Sequence, residues 1–173
     1  MSEAEVHYSL ERPSFDKPVK ILIVVAPYYK DISDQLIAGA VAEIEAAGGT
    51  AEIEEVPGAL EVPTAIAIMD RARSYDGYVA LGCVIRGETT HYETVCNESA
   101  HAISMLGLKG LCIGNGILTV ENRDQAHARA DAQGQNKGGG AAAAALHLIA
   151  LTRKGRNTAK GIGFRPVAGS ATA

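Results

Sequence analysis

Four short runs rich in β-forming residues, each followed by a stretch of helical periodicity, constrain this chain of 173 residues more than any other feature. The runs are ILIVV at 21–25, TAEIEEV at 50–56, GYVALGCVI at 77–85 and GLCIGNGIL at 110–118. Strands alternating with helices build βα units around a parallel sheet. The first run is apolar throughout, as a strand covered on both faces must be. After it, Ile32, Leu36, Ile37, Ala40, Val41 and Ile44 recur at helical spacing, with Asp31 or Ser33 to cap the start and Gly48 to end the helix. Further helices are predicted over 61–73, 91–106, 122–132 and 139–154. The expected fold class is α/β, a three-layer α/β/α sandwich with a four-stranded parallel sheet and right-handed crossovers.

The length suits one domain with a core that needs no staples. Residues 1–18 are polar and carry Pro13 and Pro18, so they read as an N-terminal arm, too polar to pack into its own core and free to lie along an adjacent subunit. Residues 19–154 form the domain, and 155–173, rich in glycine and small residues, read as a flexible C-terminal tail. The alanine run 141–145 reads as a helix whose small side chains let another helix or subunit approach closely. Sixteen Lys and Arg against 20 Asp and Glu give a net charge of −4, which supplies no basic field for nucleic acid or an anionic membrane. Three cysteines, Cys83, Cys96 and Cys112, have no C-x-x-C spacing and read as reduced thiols rather than a disulfide framework or zinc site. The N-terminal stretch lacks a basic start followed by an apolar segment, and no run approaches the roughly 18 apolar residues of a membrane span. A cytoplasmic location is expected.

Ligands in such sheets bind beyond the carboxyl ends of the strands, so the residues after each strand carry the functional signal. After the first come Ala26-Pro27-Tyr28-Tyr29, where Tyr28 could stack on a flat heterocycle or simply pack at the rim. After the second, Glu61 stands in Pro57-Gly58-Ala59-Leu60-Glu61-Val62-Pro63 as an acceptor for ligand hydroxyls, or as a solvated charge favourable to a helix start. The third ends in Gly82-Cys83-Val84-Ile85-Arg86-Gly87-Glu88-Thr89-Thr90-His91, a loop leading into a helix whose free N–H groups suit a phosphate. His91 falls in the first turn of that helix, as a proton shuttle or an ordinary surface residue. The fourth ends in Ile113-Gly114-Asn115-Gly116-Ile117-Leu118-Thr119, in which Gly114-x-Gly116 lacks the third glycine of a dinucleotide fingerprint. Downstream, Arg129 and Lys137 flank a segment ending in Gly138-Gly139-Gly140, either a phosphate grip or solvated charges. No P-loop, G-x-S-x-G or H-E-x-x-H is present in the sequence.

Taken in order, Gly58-Ala59-Leu60-Glu61-Val62-Pro63, the block Gly82 to His91, Asn97-Glu98, Gly116-Ile117-Leu118-Thr119 and Asn136-Lys137-Gly138 closely resemble the lumazine synthase family over about residues 19–154. The resemblance implies a flavodoxin-like fold and a condensation in riboflavin biosynthesis. In that reaction 5-amino-6-(D-ribitylamino)uracil and 3,4-dihydroxy-2-butanone 4-phosphate give 6,7-dimethyl-8-ribityllumazine, phosphate and water. No metal or redox cofactor is implied. His91 matches the family's acid/base histidine. Tyr28 occupies the position that stacks on the pyrimidine, Ala59, Leu60 and Glu61 the segment that binds the ribityl chain, and Cys83, Val84 and Ile85 the pyrimidine edge. Asn115 lies where the family's pocket closes around the ring. Glu88, Thr89, Arg129 and Lys137 match the phosphate side.

Several positions depart from the commonest pattern. Tyr28 replaces a frequent Phe, Pro27 and Tyr29 stand where Arg and Asn are common, Leu60 and Asn115 where Phe is common, and Gln133 where a Lys is common. As partners the resemblance implies small-molecule substrates and self-association into a homopentamer, which in some members closes into a 60-subunit capsid. No nucleic-acid or membrane partner is expected. Pro13 and Pro18 would interrupt strand pairing by the arm and favour the pentamer. A non-catalytic flavin or lumazine carrier on the same fold is the alternative, against which the joint presence of His91, Arg129 and Lys137 counts.

Overall fold

The computed structural model describes residues 8–72 and 74–160. Nine elements follow in the described chain: β1 (Lys20–Val25), α1 (Lys30–Ala46), β2 (Thr50–Glu55), α2 (Glu61–Asp70), β3 (Gly77–Ile85), α3 (His91–Leu108), β4 (Ile113–Val120), α4 (Arg123–Ala130) and α5 (Lys137–Lys160). The four strands form one sheet in the order β2-β1-β3-β4, and every pairing is parallel. This is the predicted α/β/α sandwich with flavodoxin-like order. Side chains alternate across a strand, so β1 divides its apolar run between two cores. Ile21, Ile23 and Val25 join α1, α4 and α5 on one face, while Leu22 and Val24, with Ala26 beyond the strand, join α2 and α3 on the other.

The chain leaves β1 for β2 on one side and returns to β3 on the other. The strand order therefore reverses between β1 and β3, and a crevice opens at their carboxyl ends. Small residues bring the layers close on the α5 side. A Cβ on Gly114 of β4 would stand 1.8 Å from the Ala141 carbonyl oxygen, and one on Gly138 would stand 2.1 Å from that of Leu36 in α1. Ala141, Ala142 and Ala145 are buried in the chain's own core. The alanine run thus meets α1 and β4 of the same chain, and only Ala144 within it is exposed.

Several boundaries differ from expectation, as where α2 ends at Asp70 rather than 73 and α4 at Ala130 rather than 132. β4 begins at Ile113 rather than 110, because Gly110, at φ 95°, closes α3 in the left-handed conformation with Leu111 N–H bonded to the Leu106 carbonyl. α5 begins two residues earlier than predicted, where Asn136, at φ 46°, accepts a 3.0 Å hydrogen bond from Gly139 N–H through Oδ1. It also runs past 154 to Lys160, so 155–160, expected to be tail, are helical. Arg153 anchors that extension by donating to the Lys17 carbonyl and pairing with Asp76. The remainder of the tail, 161–173, lies outside the described residues, as does 1–7 of the arm. The arm 1–18 is expected to be too polar to pack into its own core, yet Arg12 and Phe15 within it meet the body of the same chain. Arg12 makes two 2.9 Å hydrogen bonds to the Glu43 carboxylate, and Phe15 packs against the larger core beneath the Arg153 guanidinium.

Candidate active site

The crevice holds a cavity of about 510 Å³. β1 delivers Ala26 and, in the turn before α1, Tyr28 and Tyr29. The loop after β2 delivers Pro57 to Leu60 and α2 begins at Glu61, while the end of β3 delivers Cys83, Val84 and Ile85. His91, at the first position of α3, and Val95 one turn later complete the lining. Val25 and Glu55 pair at the ends of β1 and β2, while β3 runs on from Leu81, the other partner of Val25, to Ile85, and the loops that follow the three strands converge on one opening.

The walls differ in character. Tyr28 is 76% exposed, with its ring edge-on to Tyr29 at 5.0 Å and 73°, which leaves a free aromatic face at the mouth. Cys83 is buried, and burial pushes its thiol up to about 11 against a partial offset from Arg123, so this wall is neutral at physiological pH. Burial and the neighbouring Tyr28 also raise the Tyr29 phenol. Val84 and Ile85 are half-buried at the strand end, where they line the cavity.

The loop from Arg86 to Thr90 is tied at both ends. Arg86 N–H donates to the Val120 carbonyl at 2.9 Å. The Arg86 guanidinium pairs with Glu121 at 2.7 Å and with Glu93, and lies 4.2 Å from the Tyr92 ring centre. Those two carboxylates hold it fully charged, and Arg86 in return, with the Glu93 backbone N–H, holds the Glu93 carboxyl below its usual range. Thr89 Oγ1 accepts a long 3.4 Å contact from His91 N–H, and no side chain caps α3 from Thr90. Apart from Glu93, whose N–H meets its own carboxylate, the first turn of this 18-residue helix has no close side-chain cap beside His91.

Tyr28, Ala59, Leu60, Glu61, Cys83, Val84, Ile85 and His91 thus meet in one cavity. Glu88 and Thr89 stand exposed in the adjoining loop. The other expected site residues stand elsewhere. Asn115 is exposed in the middle of β4, its Oδ1 accepting from Ile117 N–H at 3.0 Å. Arg129 sits half-buried on α4, donating to the Gln125 carbonyl at 3.1 Å, and Lys137 is the exposed first residue of α5. Both helices lie on the sheet face opposite α2 and α3. No lysine or arginine lines the cavity among the described residues.

The wall residues Ala26, Tyr29, Pro57, Gly58 and Val95 are not among the site residues expected from the sequence. Val95 was within reach, since four residues beyond His91 on a helix is the same face. Tyr29 was passed over for its neighbour because nothing local says which of two adjacent tyrosines turns inward.

A family model for 6,7-dimethyl-8-ribityllumazine synthase matches residues 18–153. Curated proteins of that name are close relatives. One from Jannaschia sp. (strain CCS1) is 60% identical over 89% of this chain and 86% of its own length. One from Novosphingobium aromaticivorans is 55% identical over 78% of this chain and 97% of its own, and one from Bartonella tribocorum is 54% identical over 80% and 93%. The chain belongs to the 6,7-dimethyl-8-ribityllumazine synthase family. The matched span contains every residue lining the cavity, and also Asn115, Arg129 and Lys137. Among the described residues no helix is long and apolar enough to cross a membrane.

Proposed function

We propose that this chain condenses 5-amino-6-(D-ribitylamino)uracil with 3,4-dihydroxy-2-butanone 4-phosphate to 6,7-dimethyl-8-ribityllumazine. The observation that carries the reading is the cavity itself, in which a free aromatic face, a neutral strand edge, one carboxylate and one histidine converge. The aromatic face of Tyr28 suits a pyrimidine, the ends of β3 suit its polar edge, and Glu61 suits the hydroxyls of a ribityl chain. His91 stands beside the uncapped start of α3, where a phosphate ester would find free N–H groups.

The chemistry asks little of the protein beyond placement. The ring amine attacks the butanone carbonyl and water leaves to give an imine. Phosphate then departs as a proton is lost from the adjacent carbon, and the resulting enol becomes a second carbonyl. The ribitylamino nitrogen attacks that carbonyl and a second water leaves. His91 takes and returns the protons. Holding two reactants together can supply up to about 7–11 kcal/mol, and one proton shuttle adds about 10²–10⁴-fold.

We place Asn115, Arg129 and Lys137 at the cavity of a neighbouring subunit in a homopentamer. A phosphate dianion needs a cation, none lines the cavity, and these three residues stand away from it. Exposed Ile68 on α2 and Met105 and Leu108 on α3 leave apolar surface for an adjacent chain to cover. A cytoplasmic location accords with three free cysteines. The test is direct. Purified protein mixed with both substrates should generate lumazine absorbance, and binding of lumazine without turnover would favour a carrier.

A further inference from the structure

Tyr28 is the residue that must meet a flat ring, yet at 76% exposure few contacts hold it. One of them is the edge of Tyr29, 5.0 Å away at 73°. Tyr29 is held in turn. Its carbonyl accepts from Ser33 N–H at 2.9 Å as α1 begins, and its ring packs against the larger core. The Arg123 guanidinium, from the first residue of α4, lies over that ring at 5.6 Å. Arg123 is itself fixed, with Nη2 donating to both oxygens of Asp31 at 2.7 and 2.8 Å, and His127 Nε2 stands 3.3 Å from the same carboxylate. Although desolvation opposes it, the guanidinium keeps the Asp31 carboxyl below its ordinary range. A chain of contacts therefore runs from an ion pair joining α1 and α4, through Tyr29, to the ring at the cavity mouth.

We propose that Tyr29, pinned by the Arg123–Asp31 pair, is a positioning residue for Tyr28 and so a determinant of affinity for the pyrimidine ring. An exposed aromatic side chain loses rotamer freedom when a ligand stacks on it, and a neighbour that already restricts the ring lowers that cost before binding. An edge-to-face pair contributes about 0.5–1.5 kcal/mol, or roughly two- to tenfold in affinity. Tyr29 and Arg123 take part in no proton transfer, so their effect falls on binding of one substrate. The inference rests on the cavity being the pyrimidine site.

The test measures the dissociation constant of 6,7-dimethyl-8-ribityllumazine, by its own fluorescence, and the KM of each substrate for Tyr28→Ala, Tyr29→Ala, Tyr29→Phe and Arg123→Gln. Tyr29→Ala should weaken lumazine binding about three- to tenfold and raise the pyrimidine KM in parallel, with the KM for the butanone phosphate within about twofold. Tyr29→Phe, which keeps the ring edge, should stay within about twofold of the parent, and Arg123→Gln should weaken binding about two- to threefold. Three results overturn the proposal: a parental constant in Tyr29→Ala or in Arg123→Gln while Tyr28→Ala binds weakly, a Tyr29→Phe as impaired as Tyr29→Ala, or equal rises in both KM values. If Tyr29→Ala does not fold, Arg123→Gln and Tyr29→Phe decide the matter, since neither removes a core side chain. Failure of the site assignment looks different, because Tyr28→Ala would then bind lumazine as the parent does.

Discussion

The Glu61 carboxylate folds back over the backbone of Gly58, so close that a methyl group on Gly58 would stand 2.8 Å from Glu61 Oε2. Glu61 N–H also donates to the Gly58 carbonyl at 3.1 Å, so the turn fixes the backbone from which the side chain folds back. Gly58→Ala should push the carboxylate off its place and raise the KM for the ribitylaminouracil about tenfold, the loss of one charge-assisted hydrogen bond. Steady-state kinetics with each substrate varied in turn checks this, and an unchanged KM would show that Glu61 does not hold the ribityl chain.

His91→Ala should lower turnover by about one to three orders of magnitude while leaving lumazine binding nearly intact, because proton transfer is lost but proximity survives. Single-turnover absorbance measurements decide it. A parental rate would remove His91 from the chemistry.

Arg129→Ala should raise the KM for the butanone phosphate far more than that for the pyrimidine, since it deletes a charge-assisted contact to one substrate. If Arg129 serves a neighbouring chain's cavity, mixing His91→Ala with Arg129→Ala under subunit exchange should recover part of the activity. A fully active monomer in light scattering would refute the shared site.

Burial raises the Cys83 thiol to about 11, which gives it a defined alkaline signature. The folded chain keeps the proton through a range in which the unfolded thiol, near the ordinary value of about 8.5, has lost it. The stabilisation is therefore complete below the unfolded value and fades as pH rises towards 11. Alkylation of Cys83 by iodoacetamide should accelerate only above about pH 10, and bound lumazine should slow it. Rapid labelling at pH 8, followed by mass mapping of the modified cysteine, would contradict this.

Gly114→Ala should destabilise the fold on the order of 3 kcal/mol, because the new Cβ would lie 1.8 Å from the backbone oxygen of Ala141 and neither strand nor helix can retreat without opening the core. Urea denaturation gives the value directly. A loss under about 1 kcal/mol would mean that the β4–α5 contact is softer than its geometry.

Local chemistry determined most of the architecture. The continuous apolar run of β1 requires two covered faces, the 3.6-residue spacing of Ile32, Leu36, Ala40 and Ile44 requires one buried stripe, and their alternation requires parallel crossovers. The same local chemistry placed Tyr28, Glu61, Cys83 and His91 just beyond strands, where sheet topology makes a crevice. It also ended helices too early where tertiary anchors carry them on, as Arg153 does for α5 through the Lys17 carbonyl and Asp76. Only the folded chain decided that Tyr29 packs inward beneath Arg123, from a residue 94 positions away, while Tyr28 turns out to the cavity mouth. It likewise decided that the alanine run faces α1 and β4, and that Arg129 and Lys137 stand on the far side of the sheet from α2 and α3. Spacing along a chain reports which face of an element a residue occupies. Which elements share that face depends on contacts between residues tens of positions apart, and no local pattern carries them.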